Sequence, residues 1–246
     1  MQIKQVFERK KALLMDIPTT DIITAFKDAL PLMIGLVPFG LAYGIIARQS
    51  GLTWFETYFM SLTVFAGAAQ FTTVSMISSG GVQFLLILFT TLLINLRHLL
   101  MGASLAPYLQ KLKIKWQALL AFGMADESYA LTITYYREKG FNPVYQLSAN
   151  LAIYFSWTTT SGLGAAFGGI IKNPLKWGLD FAMPATFIVL LIPQLKTRKE
   201  IVVCFSAAII SVVGAIILPG KWYIIIAAVS AAIIGGGIEE FCTLRK

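Results

Sequence analysis

The chain reads as an all-α polytopic integral membrane protein, and three observations carry that reading. Of its 246 residues, 57% are hydrophobic and 13% charged, and the mean hydropathy is +0.73, more apolar surface than a soluble globule can hide. Apolar windows of about 18 residues or more, long enough for a hydrocarbon core of about 30 Å, recur along the whole length. The connections between them are short, so one membrane domain accounts for the chain.

The windows begin near Pro31, Thr53, Val82, Trp116, Tyr145, Trp177, Ile201 and Trp222, which predicts about eight hydrophobic segments. Residues 31–239 are expected to form the transmembrane domain, with repeat halves of roughly 31–136 and 145–239. Residues 1–30 form a cytoplasmic N-terminal segment and 240–246 a cytoplasmic tail. The opening "MQIKQVFERKKALLMD" is charged throughout and lacks an apolar h-region and cleavage site, so the first membrane helix is expected to direct insertion itself. Asp21 to Leu30 predicts a short amphipathic surface helix, N-capped by Thr20, with Ile22, Ile23, Phe26 and Leu30 on one side.

Segment one, "PLMIGLVPFGLAYG", carries Pro31, Gly35, Pro38, Gly40 and Gly44 and is expected to be interrupted, because Pro38 removes a backbone donor and disturbs the preceding turn. A kinked packing helix and a substrate-lining one, with Pro38 and Gly40 at the site, are both open. Segment two contains "FAGAAQF" (65–71) and segment six Pro184 in "FAMPATF", so both are expected to be broken or re-entrant. "GLAYGIIARQSGLTWFETYFM" (40–60) and "GAAFGGIIKNPLKWGLDFAM" (164–183) share an ordered pattern, which points to an internal duplication pairing segment one with five and two with six. Chance likeness between Gly-rich membrane helices is the other explanation.

Charge counting bears on topology. If every segment crosses and the N-terminus is cytoplasmic, twelve Lys and Arg fall inside and seven outside, with "KLKIK" (111–115) facing outwards against the positive-inside rule. If segments two and six re-enter, the count becomes fifteen against four and the repeat becomes an inverted one. The net charge of +8 is therefore topological and gives no reason to expect nucleic acid. Cys204 and Cys242 suggest neither a metal cluster nor a disulfide.

Segment three places Arg97 and His98, the single histidine, inside "INLRHLLMG". A charge at mid-membrane costs roughly 2.5–3.5 kcal/mol on insertion scales, so Arg97 needs a partner, water or a function. Segment four, "WQALLAFGMADESYALTITYY" (116–136), holds Asp126 and Glu127 at its middle. Two helices joined by a short loop run antiparallel, and Arg97 and Asp126 are each about ten residues from that loop's ends, hence roughly 15 Å deep. This predicts a midplane polar site in which one acid pairs with Arg97 and the other exchanges protons, with His98 as a titratable neighbour and Asn95 on its helix face. Tyr129 shares a face with Asp126. A purely structural ion pair is the alternative. Glu56 and Asp180 follow tryptophans closely and read as interfacial; Gln70 and Asn150 serve either substrate contact or bonds between helices.

Enzyme signatures are missing: Gly102, not Asp, lies four residues after His98, no histidine follows "GASLA", and there is no phosphate loop, haem pair or zinc constellation. No cofactor is expected. Opposed acidic and basic groups suit binding a zwitterion better than passing ions of a single sign, as a channel would.

The stretches "ALPLMIGLVPFGLAYG", "FAGAAQF", "NLRHLLMGASLAP", "ADESYAL" and "DFAMPATFIVLL", spread over about two thirds of the chain in one order, resemble the AzlC-type family, the large membrane subunit of bacterial branched-chain amino acid exporters. The resemblance implies export of Leu, Ile, Val and Met across a bacterial inner membrane, driven by protons and assisted by a small AzlD-like membrane subunit. A zwitterion's carboxylate would meet Arg97 or the amides of a half-helix starting near Gly67, and its ammonium Asp126 or Glu127; Phe65, Phe71 and Tyr129 would be walls. The runner-up is a polytopic scaffold or channel subunit whose buried charges are structural only.

Overall fold

A computed structural model describes residues 19–78, 84–170, 188, 191–192, 195, 197–218 and 222–243. All regular structure among them is helical: α1 Thr19–Gln49, α2 Trp54–Thr63, α3 Gly67–Ser78, α4 Phe84–Leu109, α5 Ile114–Phe122, α6 Asp126–Lys139, α7 Pro143–Gly168, α8 Arg198–Ile217 and α9 Trp222–Thr243. By length and composition α1, α4 and α8 can each cross a membrane. Most of segment six, with Trp177, Asp180 and Pro184, lies outside the described residues, as do residues 1–18 and the second repeat copy beyond Ile170.

Three features bear on the expectations at this level, the second in keeping with a broken segment two and the other two as corrections. First, Asp21–Leu30 is no separate surface helix but the opening turns of α1, which continues unbroken through Pro31 and Pro38. Ala25 and Ala29 are its buried residues here, while Ile23, Phe26, Leu30, Ile34 and Val37 face outwards, so small side chains make the helix contact and large ones are left for lipid. Second, segment two is two helices, α2 and α3, separated at Val64–Ala66, where Phe65 takes a left-handed φ of 43° that ends α2. Third, segment four is likewise two helices, α5 and α6, separated at Gly123–Ala125, so the acids open a helix instead of sitting inside one.

Contacts group the chain into two compact units, Met1–Gly40 with His98–Thr160, and Leu41–Arg97 with Ser161–Lys246. In the first, α1 and α7 run parallel: Asn142 Nδ2 donates to Asp21 Oδ2 at 2.6 Å, Tyr145 Oη to Asp28 Oδ2 at 2.8 Å and Ser156 Oγ to the Met33 carbonyl at 3.2 Å. The end of α4 runs parallel to α6, since Ser104 Oγ meets Tyr129 Oη at 2.7 Å and the rings of Tyr108 and Tyr136 lie 5.0 Å apart. By contrast α5 climbs beside α7, with Asn150 Nδ2 on the Leu120 carbonyl at 2.9 Å and the Phe122 and Tyr154 rings 6.3 Å apart. The C-terminal turns of α6 return to the start of α7, where Tyr136 Oη donates to Gln146 Oε1 at 2.8 Å and Tyr135 stacks on Tyr145 at 3.8 Å. Helices α5 and α6 are therefore a hairpin whose two ends, near Leu112 and Phe141, share one level with the start of α1. Met101, Leu105, Leu109, Leu120, Met124 and Tyr136 form the apolar core that holds α4 to it.

In the second unit the remaining parts of α1 and α7 are also parallel and touch backbone to backbone. A Cβ on Gly44 would lie 2.2 Å from the Ser161 carbonyl oxygen, and one on Gly164 would lie 2.3 Å from that of Leu41. Gly168 meets Ile45 and Arg48 in the same way. The two Gly-x-Ala-aromatic-Gly stretches thus pack against each other along helices of one direction, which corrects the inverted relation expected for segments one and five. Helices α2 and α3 fold back on each other through Gln70 Nε2 and Ser61 Oγ, 3.0 Å apart, with Phe71 and the Thr57 carbonyl both against Tyr43. Helices α8 and α9 form an antiparallel pair, Gly214 on Tyr223 and Gly235 on Val203.

Candidate functional site

The break in segment four is built by identifiable residues. Gly123 follows the last turn of α5, and its missing side chain makes room for Asn150, whose Cβ would be 3.1 Å from a Cβ there. Three of the last four α5 carbonyls find donors across the break: Leu119 from the Gly123 N–H, Ala121 from the Met124 N–H, and Leu120 from Asn150. Ala125 is extended, and its N–H donates to Ser128 Oγ at 2.9 Å, which closes the first turn of α6. Asp126 and Glu127 occupy that turn, half-buried, where the positive end of the helix favours carboxylates. A helix would otherwise have to continue through "GMADE", and glycine plus capping serine make stopping easier.

Tyr129, one turn further, meets Ser104, so Asp126 lies near the level of Met101, and His98 is one more turn along α4. His98, Asp126, Glu127, Tyr129 and Asn150 belong to the first unit; Asn95 and Arg97, both half-buried on α4, belong to the second. Pro38 is exposed on α1 and Gly40 buried.

The second break has its own half-helix. Gly67 opens α3, and Gln70, fully buried, accepts from the Ala66 N–H at 3.2 Å while donating to Ser61. Its amide thus braces the break. Phe65 and Phe71 are both buried beside it. Glu56 lies outside the three candidate spans and closes a capping box with Thr53, whose backbone N–H and hydroxyl hold the Glu56 carboxyl below its usual range.

A buried polar stripe joins α6 to α7, and of its members only Asn150 was singled out from the sequence. Ser128, Thr132 and Tyr136 recur every fourth residue on α6, and Gln146 and Asn150 do so on α7; all five are at most 3% exposed. Thr132 Oγ1, Gln146 Nε2 and Asn150 Oδ1 have no hydrogen-bond partner among the described residues. Burying such a group without one costs about 1–3 kcal/mol. At its lower end the stripe continues from Tyr136 to the Asn142 carbonyl at 3.3 Å and from Asn142 to Asp21. The spacing of the five residues was the available signal, hidden because each is uncharged.

Helices alone among the described residues, three of them long and apolar enough to cross a membrane, define a multi-pass helical membrane protein. The AzlC protein family model matches residues 31–171, more than half of the chain, and the chain belongs to that family. The branched-chain amino acid transport protein AzlC of Bacillus subtilis is 31% identical over 206 residues, covering 82% of this chain and 79% of the relative. An uncharacterized membrane protein of Archaeoglobus fulgidus is 31% identical over 170 residues, 68% and 73% of the two chains. Inner membrane protein YgaZ of Escherichia coli is 27% identical, covering 78% and 80%. No solved structure matches. The family's membrane proteins are implicated in branched-chain amino acid transport.

Proposed function

We propose that the protein is a secondary carrier that exports the branched-chain amino acids Leu, Ile and Val, and also Met, from a bacterial cytoplasm by proton-coupled alternating access, together with a small AzlD-like membrane subunit. The observation that carries the reading is the pair of helix breaks, at Val64–Ala66 and Gly123–Ala125, the second with two carboxylates on its first turn. Half-helix ends offer a zwitterion what it needs, N–H groups for its carboxylate and carbonyls or acids for its ammonium. In this proposal the amides from Gly67, or Arg97, take the carboxylate, and Asp126 or Glu127 takes the ammonium or exchanges it for a proton. His98 is the titratable neighbour; Asn95, Gln70, Tyr129, Asn150, Pro38 and Gly40 complete the surroundings.

The topology belongs to the same proposal. Segments two and four re-enter as hairpins, and both termini and "KLKIK" are cytoplasmic. The parallel course of α1 and α7 and the common level of the hairpin ends support this. The charges agree independently: of the twelve Lys and Arg up to Ile170, ten then lie inside, with Arg48 outside and Arg97 at membrane depth. Counterflow tests the function. Liposomes preloaded with leucine should accumulate labelled leucine, with and without the small subunit; a protein that exchanges none in either case is a scaffold.

A further inference from the structure

We infer that the buried polar stripe between α6 and α7 is a hydrated proton path connecting the Asp21 end of the first unit to the acids at the hairpin tip. The inference deepens the carrier proposal and rests on its proton coupling. Three features of the stripe point to it. It has a bonded start and a direction: Asp21, Asn142, Tyr136 and Gln146 are joined by hydrogen bonds, and Thr132 and Asn150 lie one turn further towards the break on α6 and α7. Its members stay polar where packing alone asks for apolar side chains, since Thr132 and Gln146 are 0% and 1% exposed. And its three orphaned atoms are of complementary kinds: the Gln146 amide offers a donor, Asn150 Oδ1 an acceptor and the Thr132 hydroxyl both.

Water is the ligand that fits such a set, because one molecule both gives and takes hydrogen bonds and needs several polar partners to enter a buried site. The amides orient water, whereas hydroxyls and water relay the proton. A proton taken from solvent at the Asp21 end moves through water held by the Asn142 and Gln146 amides and through the Tyr136 and Thr132 hydroxyls, each of these oxygens giving up one proton as it receives another. It ends on the carboxylate of Asp126 or Glu127, which becomes the neutral acid; no electron changes hands. At its outer end the path is flanked by Asp28, Tyr135, Tyr145 and Lys139, which leaves both signs of charge beside the mouth.

Thr132→Val and Gln146→Leu test the path in the full-length protein reconstituted in liposomes. Thr132→Val keeps the shape and breaks no protein hydrogen bond, so its fold is retained even if the Gln146 variant fails. Expected is a fall of about tenfold in gradient-driven leucine flux, the rate equivalent of one lost hydrogen bond, with leucine exchange at equal pH kept. Unchanged gradient-driven flux in Thr132→Val overturns the path, and so does an equal loss of flux and exchange, which would make the stripe part of the substrate site. A second readout needs no transport: the rate at which the protonated carboxyl of Asp126 or Glu127 takes up deuterium, followed by its infrared stretch and assigned with Asp126→Asn and Glu127→Gln. If the wild type carries no leucine, the carrier proposal fails while this rate alone decides: slowed exchange in Thr132→Val sustains the path, and an unchanged rate removes it.

Discussion

Replacing Gly164 by alanine tests the backbone-to-backbone contact between α1 and α7. The added Cβ would sit 2.3 Å from the Leu41 carbonyl oxygen and 2.8 Å from its Cα, both backbone atoms that cannot rotate away. An ordinary carbon–oxygen contact is about 3.3–3.6 Å, so α1 and α7 must part by roughly 1 Å along a seam that also holds Gly44 and Gly168. Overpacking of this sort costs about 1–3 kcal/mol, and the rigid neighbour puts this site in the upper part of that range. At about 2–4 °C per kcal/mol for a chain of this size, purified Gly164→Ala should melt roughly 4–12 °C below the wild type. Gly35→Ala and Gly102→Ala are the controls, because nothing lies within 4 Å of either new Cβ. Alanine also gains up to about 1 kcal/mol of helix propensity over glycine, so the controls should melt at or above the wild type. Tryptophan fluorescence on heating in detergent measures all three. A Gly164→Ala protein as stable as its controls would refute the backbone contact and with it the parallel seam.

Three further outcomes are expected. Of Asp126→Asn and Glu127→Gln, at least one should abolish gradient-driven export while sparing leucine exchange; normal export by both single variants and the double variant would take both acids out of the mechanism. In a background free of Cys204 and Cys242, Lys113→Cys and Asn142→Cys should both be shielded from an impermeant thiol reagent on intact cells, and ready labelling of one alone would exclude a hairpin with both ends on one face. Glu56→Gln should remove a stabilising contribution that depends on pH: because the capping bonds lower the folded-state value of this carboxyl, the contribution is present above the ordinary carboxylate range and fades as the pH falls through it, so the variant and wild type should converge in acid.

The helical membrane class was legible because hydrophobic length is a property of single segments, and α1, α4 and α8 display it outright. The breaks were legible only in part. "FAGAAQF" marks the one at Val64–Ala66 with small residues, whereas "GMADESYA" reads as continuous because its two acids invite the idea of a buried pair inside a helix. What stops α5 is a residue 27 positions beyond Gly123, the Asn150 amide on the Leu120 carbonyl, and a window of one segment cannot see it. Pro31 and Pro38 misled in the opposite direction: α1 tolerates both, as membrane helices do when neighbours or water satisfy the freed carbonyls. The likeness of residues 40–44 to 164–168 pointed to a real juxtaposition, but directions follow from which residues touch, and the sequence does not hold that.

The hairpin of α5 and α6 also constrains how the protein is made. Its first limb turns Ile114, Trp116, Leu119 and Phe122 outwards and can enter a bilayer as it leaves the ribosome. The second limb buries Ser128, Thr132 and Tyr136 and ends in Arg137, Glu138 and Lys139, so it cannot partition into lipid by itself. Its polar side is covered by α7, which has not yet been synthesised when α6 emerges. The limb must therefore wait at the membrane surface or in the insertion machinery until α7 arrives, and the hairpin closes only afterwards. The charged end of α6, Arg137 to Lys139, adds to the cost of entering lipid during that wait.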